Sequence, residues 1–265
     1  MSTFTDYMSV ANNLTRYQTM TAADPTVAQA TKYFQDNIGG IKTVDQFVNN
    51  TRIFNYAMTA FGLSDMTYAK SLIKQVLTQG TSSSKALANT LNNPKILALA
   101  QTFNFALYGA STTQTTAATS GVVSKYVMQT LETNEGNQNP GVELALYFQQ
   151  NASKITDGYS ILADKNLLSV VQTTLGISSY TSVQNIDSQA QQFDKLLTYS
   201  DFQNPTKLNS FLQRFTAQYD LNNSDSSSSG SATSNIVSPL LSSTSSTTSF
   251  SVSLLMSLQN FKLGG

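Results

Sequence analysis

YFQDN at residues 33–37 returns as YFQQN at residues 147–151. Sliding residues 33–64 onto 147–178 needs no gap. Eight of the 32 positions are then identical: Tyr33/Tyr147, Phe34/Phe148, Gln35/Gln149, Asn37/Asn151, Ile41/Ile155, Thr59/Thr173, Gly62/Gly176 and Ser64/Ser178. The apolar positions keep phase as well. Phe47 falls on Ile161, Val48 on Leu162, Ile53-Phe54 on Leu167-Leu168, and Phe61 on Leu175. Gly62 and Gly176 each follow an apolar helical run, the place where a left-handed glycine ends a helix. Farther on, Asn93-Pro94 answers Asn204-Pro205 with three residues lost between. One pentapeptide recurs easily by chance; matched apolar phase and matched stop signals together do not. The pattern predicts an internal duplication of a helical unit, with pseudo-repeats at about 24–109 and 138–220.

Around the echo, most segments read at helical period. Phe4, Tyr7, Met8, Ala11, Leu14 and Tyr17 recur at three- and four-residue steps, so residues 3–20 are expected to form one amphipathic helix. Asp24-Pro25, Asn93-Pro94 and Asn204-Pro205 each pair an N-cap side chain with a proline at the first helical position, where its missing N–H costs nothing. Thr43 with Gln46 fits a capping box. Strand alternation is hard to find. The expected fold class is therefore all-α, a multi-helix body over 1–221 built from two helical units, with core positions Phe34, Phe54, Phe61, Phe148, Leu168 and Leu175. The stretch 110–120, ASTTQTTAATS, reads as a polar connector between the units.

After Leu221 the composition changes to NNSDSSSSGSATSN and SSTSSTTS. Such a tract cannot bury enough apolar surface to offset its ordering entropy, so 222–249 is expected to be a disordered linker. Residues 250–265 turn apolar again. Leu254, Leu258 and Phe261 share one helical face with Leu255 beside them, an amphipathic segment expected to bind a partner.

Composition narrows the chemistry. Only 11% of the 265 residues are charged, and fifteen basic residues balance fifteen acidic ones. Ser, Thr, Asn and Gln number 111. Neither a nucleic-acid groove nor an anionic membrane is implied, since both need a basic excess. With no Cys there is no disulfide, thiolate metal site or Cys nucleophile. With no His there is no Ser-His-Asp triad. MSTFTDYMSVANNL lacks a basic region followed by an apolar one, so no cleaved signal peptide is expected. No apolar run approaches the ~18–20 residues of a membrane span.

Four features merit weighing against chemistry. Glu132, Glu135 and Glu143 are the chain's only glutamates and flank the oxygen-rich ETNEGNQNPGVE. Their spacing does not match a calcium loop, and a helix end, a polar turn and a new helix start are expected instead. KITDG (154–158) and LSDMTYAK (63–70) place Lys near Asp, a pattern common at helix ends. Gly39-Gly40 lacks a phosphate-loop frame and reads as a helix terminator. The pairs Tyr33-Phe34, Phe103-Phe105 and Tyr147-Phe148 sit at helical spacing and read as core. No catalytic, cofactor or metal residue is assigned.

Four phrases carry a family resemblance: 45–77 (DQFVNNTRIFNYAMTAFGLSDMTYAKSLIKQVL), 86–105 (ALANTLNNPKILALAQTFNF), 126–164 (YVMQTLETNEGNQNPGVELALYFQQNASKITDGYSILAD) and 204–220 (NPTKLNSFLQRFTAQYD). In order and spacing they resemble a bacterial family known as domain of unknown function twelve-seventeen. The resemblance covers about 24–221 and leaves the Ser-rich tail outside. It implies an all-helical fold and a gene setting among flagellar genes, hence a location at the flagellum or in the cytoplasm. It carries no catalytic residues. The function expected from it is a non-enzymatic flagellum-associated structural or assembly protein acting by protein–protein contact, with flagellar or secretion-apparatus partners. The alternative is a cytoplasmic helical chaperone or regulator of flagellar subunit export.

Overall fold

Side chains just ahead of each helix start most of the helices in this chain. The computed structural model describes residues 2–178 and 185–223, and among these there is no strand. The Ser2 hydroxyl accepts from the Thr5 amide and opens α1 (Thr3–Asn12); α2 (Leu14–Ala23) follows at once. Asp24 accepts from Thr26 and Val27 and opens α3 (Pro25–Ile38). Thr43 accepts from Gln46 at α4 (Val44–Asn49), while the Gln46 side chain reaches back to the Lys42 amide, one residue earlier than a strict capping box. Asn50 opens α5 (Thr51–Ala60). Then come α6 (Lys70–Gln79), α7 (Leu87–Thr90), α8 (Pro94–Thr102, capped by Asn93) and α9 (Phe105–Tyr108). The second part holds α10 (Ser120–Gln138), α11 (Pro140–Asn151, capped by Asn139), α12 (Gly158–Leu162, capped by Asp157) and α13 (Lys165–Leu175, capped by Asp164). It ends with α14 (Ile186–Leu196) and α15 (Pro205–Asn223), opened by Asn185 and Asn204. Among the described residues no helix is long and apolar enough to cross a membrane.

Two hydrophobic cores share one long helix. The first gathers Phe34, Phe47, Ile53, Phe54 and Phe103, with Phe47 edge-on to Phe54 and tilted against Phe103 at 4.6 Å between centroids. The second gathers Phe148, Val170, Leu212 and Phe215, with Phe148 stacked on Phe211 at 5.2 Å and meeting Phe202 edge-on. α10 runs between them, giving Val122 to the first core and Met128 and Leu131 to the second, and packing on both α5 and α11.

Positions 114 apart meet the same local structure across the two parts. α3, α4 and α5 have counterparts in α11, α12 and α13, and the caps Thr43 and Asn50 have counterparts in Asp157 and Asp164. Gly62 and Gly176 have φ of 64° and 66°, a region that costs a side chain dearly. Each carries the same closing bond beside it, Leu63 N–H to Met58 O at 2.8 Å and Ile177 N–H to Gln172 O at 2.9 Å.

Several expectations change. The single helix over 3–20 is two helices, broken at Asn13 (φ −126°, ψ 29°). The Asn13 side chain donates to the Ser9 carbonyl at 2.9 Å and its amide turns back to Val10, so side chain and backbone both leave the helical ladder. α1 packs on α11 and α15, closing the second core with Tyr7 and Val10 although it lies ahead of the first. The polar connector at 110–120 is pinned down: Thr113 donates to the Ile41 carbonyl at 2.7 Å and Thr112 to that of Gly109 at 2.8 Å, so both hydroxyls are buried yet satisfied. The helix end and new helix start expected across 132–143 are present, with α10 ending at Gln138, Asn139 between, and α11 starting at Pro140. Leu168 and Leu175 are half-buried at the edge of the second core, at positions where the first half has Phe54 and Phe61 buried. The body's last helix continues two residues past 221, to Asn223. The remainder of the linker and the 250–265 segment, with Leu254, Leu255, Leu258 and Phe261, lie outside the described residues.

Candidate functional site

A cleft of about 530 Å³ opens where the two halves face each other across α10. One wall is the end of α5 and the outer face of α8, the other the end of α11, the turn that follows it and the start of α13. The floor is apolar, formed by Phe61, Leu97, Ile155 and Leu167. Three lysines border it, each from a different element: Lys95 in the first turn of α8, Lys125 on α10, and Lys154 in the 3₁₀ turn Ala152–Lys154. A cation in the first turn of a helix meets the positive end of the dipole, so Lys95 is not placed there for the stability of α8.

Each ammonium group rests against aromatic or amide partners. Lys95 Nζ lies 5.0 Å from the Tyr147 ring centroid and 3.4 Å from the Gly62 carbonyl. Lys125 Nζ stands 5.6 Å over Phe61, and Lys154 Nζ donates to Asn151 Oδ1 at 2.9 Å. The Lys154 ammonium is partly desolvated in the cleft and repelled by Lys125, which lowers its pKa against a smaller pull from Asp164.

The acidic groups of the cleft are committed elsewhere. Tyr147 donates its hydroxyl to Asp164 Oδ2 at 2.5 Å, while Asp164 Oδ1 accepts from the amides of Asn166 and Leu167. Desolvation, then the bond to Asp164, raises the Tyr147 phenol well above its ordinary range. Glu132 is 1% exposed and accepts from Gln150. Burial, then Glu143, pushes its pKa up to about 8, with Lys95 and Gln150 opposing. At neutral pH Glu132 is therefore chiefly a neutral acid. The cleft lining then presents three ammonium groups against the Asp164 carboxylate, with Glu143 acting on Lys95 from outside the lining.

Of the three glutamates singled out in the sequence, Glu132 alone lines the cleft. The three do not gather as ligands: among the described residues no group of acidic side chains is placed to hold a metal ion. The partner-binding positions expected at Leu254, Leu255, Leu258 and Phe261 lie outside the described residues. Lys95 and Lys125 carry no sequence signal of their own, and Lys154 stands out only as the lysine of KITDG. They stand about thirty residues apart and meet only because α10 brings the halves face to face.

The model of the family Protein of unknown function (DUF1217) matches residues 60–208. The X-ray crystal structure of a protein from Agrobacterium tumefaciens, a structural-genomics target, is 38% identical to this chain, with a TM-score of 0.79 over 84% of this chain and 97% of that one. None of the curated proteins compared with the chain matches it. The family model spans more than half of the sequence, and the likeness in structure extends beyond it on the same helical frame: the chain belongs to the DUF1217 family.

Proposed function

We propose that this protein is a non-enzymatic, flagellum-associated structural or assembly component that works by gripping a segment of another protein. The observation that supports contact is the inter-half cleft, which combines an apolar floor with a polar, cationic rim wide enough for side chains of a docked chain. The flagellar setting comes from the family resemblance. We further infer that the cleft walls are the two copies of one duplicated helical unit; the caps, glycines and closing bonds matched at 114-residue spacing support this.

A deletion strain tests the reading directly. Loss of swimming or of filaments is expected, restored by the wild-type chain but not by Ala163→Trp, which sets an indole at the cleft's edge. A normal-swimming deletion strain with normal filaments would overturn it. Fractionation then separates the two forms of the idea. Recovery with filaments supports a structural or assembly component, whereas retention in the cytoplasm with a bound export subunit would point to the chaperone or regulator.

A further inference from the structure

We infer that the cleft between the halves is built to receive a carboxylate carried on an apolar stem, and that its natural carrier is an acidic side chain in an apolar segment of a partner protein. The inference takes from the preceding proposal only that the cleft is the receptor.

Three observations converge. First, Lys95, Lys125 and Lys154 come from three separate elements onto one cavity, close enough that Lys125 and Lys154 repel. Second, among the described residues none of the three forms an ion pair, although Lys32, Lys74 and Lys207 elsewhere do. Of the carboxyl groups near them, Asp164 binds Tyr147 and caps α13, Glu132 is bonded to Gln150, and Glu143 acts on Lys95 without forming an ion pair. Charges of one sign held together in a partly desolvated site destabilise the free protein, a cost that a bound anion relieves. Third, the floor beneath them is apolar while Gln101 and Gln129 border it. A bare inorganic anion would satisfy the lysines and leave the floor wet. A Glu or Asp side chain flanked by apolar residues satisfies both, and the amides can take up its backbone.

The test uses the purified full chain and two probes, glutarate and the peptide acetyl-Ala-Leu-Glu-Leu-Ala-amide, with the Gln version of the peptide as its uncharged counterpart. Titration calorimetry and thermal melts read the outcome. The Glu peptide should bind saturably and raise the melting temperature, glutarate should do so more weakly, and the Gln peptide should bind about tenfold or more weakly than the Glu peptide. Lys95→Gln, Lys125→Gln and Lys154→Gln should each weaken the Glu peptide about fivefold or more, with Lys32→Gln as the inert control. The triple variant should lose binding and yet melt higher than the unliganded wild type, because the repulsion is gone. That rise separates a ligand site from three structural lysines. Binding of glutarate without the peptide would overturn the assignment to a protein segment. Equal binding of Glu and Gln peptides, no saturable effect of either probe, or a triple variant that melts lower would overturn the site itself. A normal-swimming deletion strain alongside lysine-dependent binding would remove the flagellar reading and leave the anion site standing.

Discussion

Tyr33 and Tyr147 open the two echoed pentapeptides, 114 positions apart, and are held differently. In the first half Asn50, the cap of α5, donates to the Tyr33 hydroxyl at 3.5 Å, and the Arg52 guanidinium lies 3.6 Å over the ring. Both partners come from the same half. In the second half the cap of α13 is an acid, Asp164, which accepts from Tyr147 at 2.5 Å, and the cation over the ring is Lys95 from across the cleft. Position 166, the counterpart of Arg52, is Asn. Exchange of a cap and a cation turns a self-contained contact into one that spans the halves. The first half closes its tyrosine off locally; the second offers it to the cleft.

The two cores should respond most unequally to truncation. Phe54→Ala should cost about 3–5 kcal/mol, since the ring is fully enclosed and edge-on to Phe47. Its counterpart Leu168→Ala should cost about 1–2 kcal/mol, because Leu168 is half-buried. Equal losses in denaturant melts would mean that the second core is packed as tightly as the first.

A second contrast concerns Gly158 and its counterpart Val44. A Cβ at Gly158 would sit 2.7 Å from the Ala190 Cα, so α12 and α14 touch backbone to backbone. In the first half the same position carries a half-buried valine facing the first core. Gly158→Ala should therefore destabilise by about 2–3 kcal/mol, while Val44→Ala should cost about 1 kcal/mol. A neutral Gly158→Ala would mean that α14 can withdraw freely.

Glu132 has no acidic counterpart at position 18, which is Gln. Its pKa is raised from 4.5 to about 8 in the folded chain. The native state thus holds a proton that the unfolded state gives up. This contribution is fully present below pH 4.5 and declines as pH rises to about 8, by roughly 2–4 kcal/mol over that interval. Glu132→Gln should flatten that decline and melt higher than the wild type near pH 8. A variant that keeps the wild-type slope would show that Glu132 ionises without difficulty.

The sequence disclosed caps, stops and apolar phase, and hid which polar side chains find partners. Asp24, Thr43, Asn93 and Asn204 announce helix starts because a cap acts within three residues of itself, and Gly62 and Gly176 announce ends for the same reason. The 114-residue echo fell on helices with matching bounds, α3 to α5 against α11 to α13. Thr112 and Thr113 misled because a hydroxyl that finds a carbonyl can be buried as readily as an apolar group. α10 passes through Gly136 because that bare position leaves room for Glu143, whose Cβ lies 2.9 Å from where a side chain would begin. Thr113 depends on a carbonyl 72 residues away, and the other two on side-chain contacts that periodicity does not show. The cleft lysines are the extreme case, since no spacing relates them until both halves are folded.

The smallest effect tests the comparison most directly. Asp164→Asn makes the second half's cap like the first's. Asn caps a helix about as well as Asp, so the amide bonds to Asn166 and Leu167 should survive. What is lost is the charge on the acceptor of the Tyr147 hydroxyl, a difference of about 1 kcal/mol. The reverse change, Asn50→Asp, gives Tyr33 a charged acceptor next to Arg52, at a site open enough to solvent that the gain should stay below about 0.5 kcal/mol. Asp164→Asn also removes the carboxylate that pulls on Lys154 in the cleft. The same variant that lowers the melting temperature slightly should therefore bind the Glu peptide more tightly than wild type. Weaker binding would mean that Asp164 holds the lysines in place instead of competing with the ligand for them.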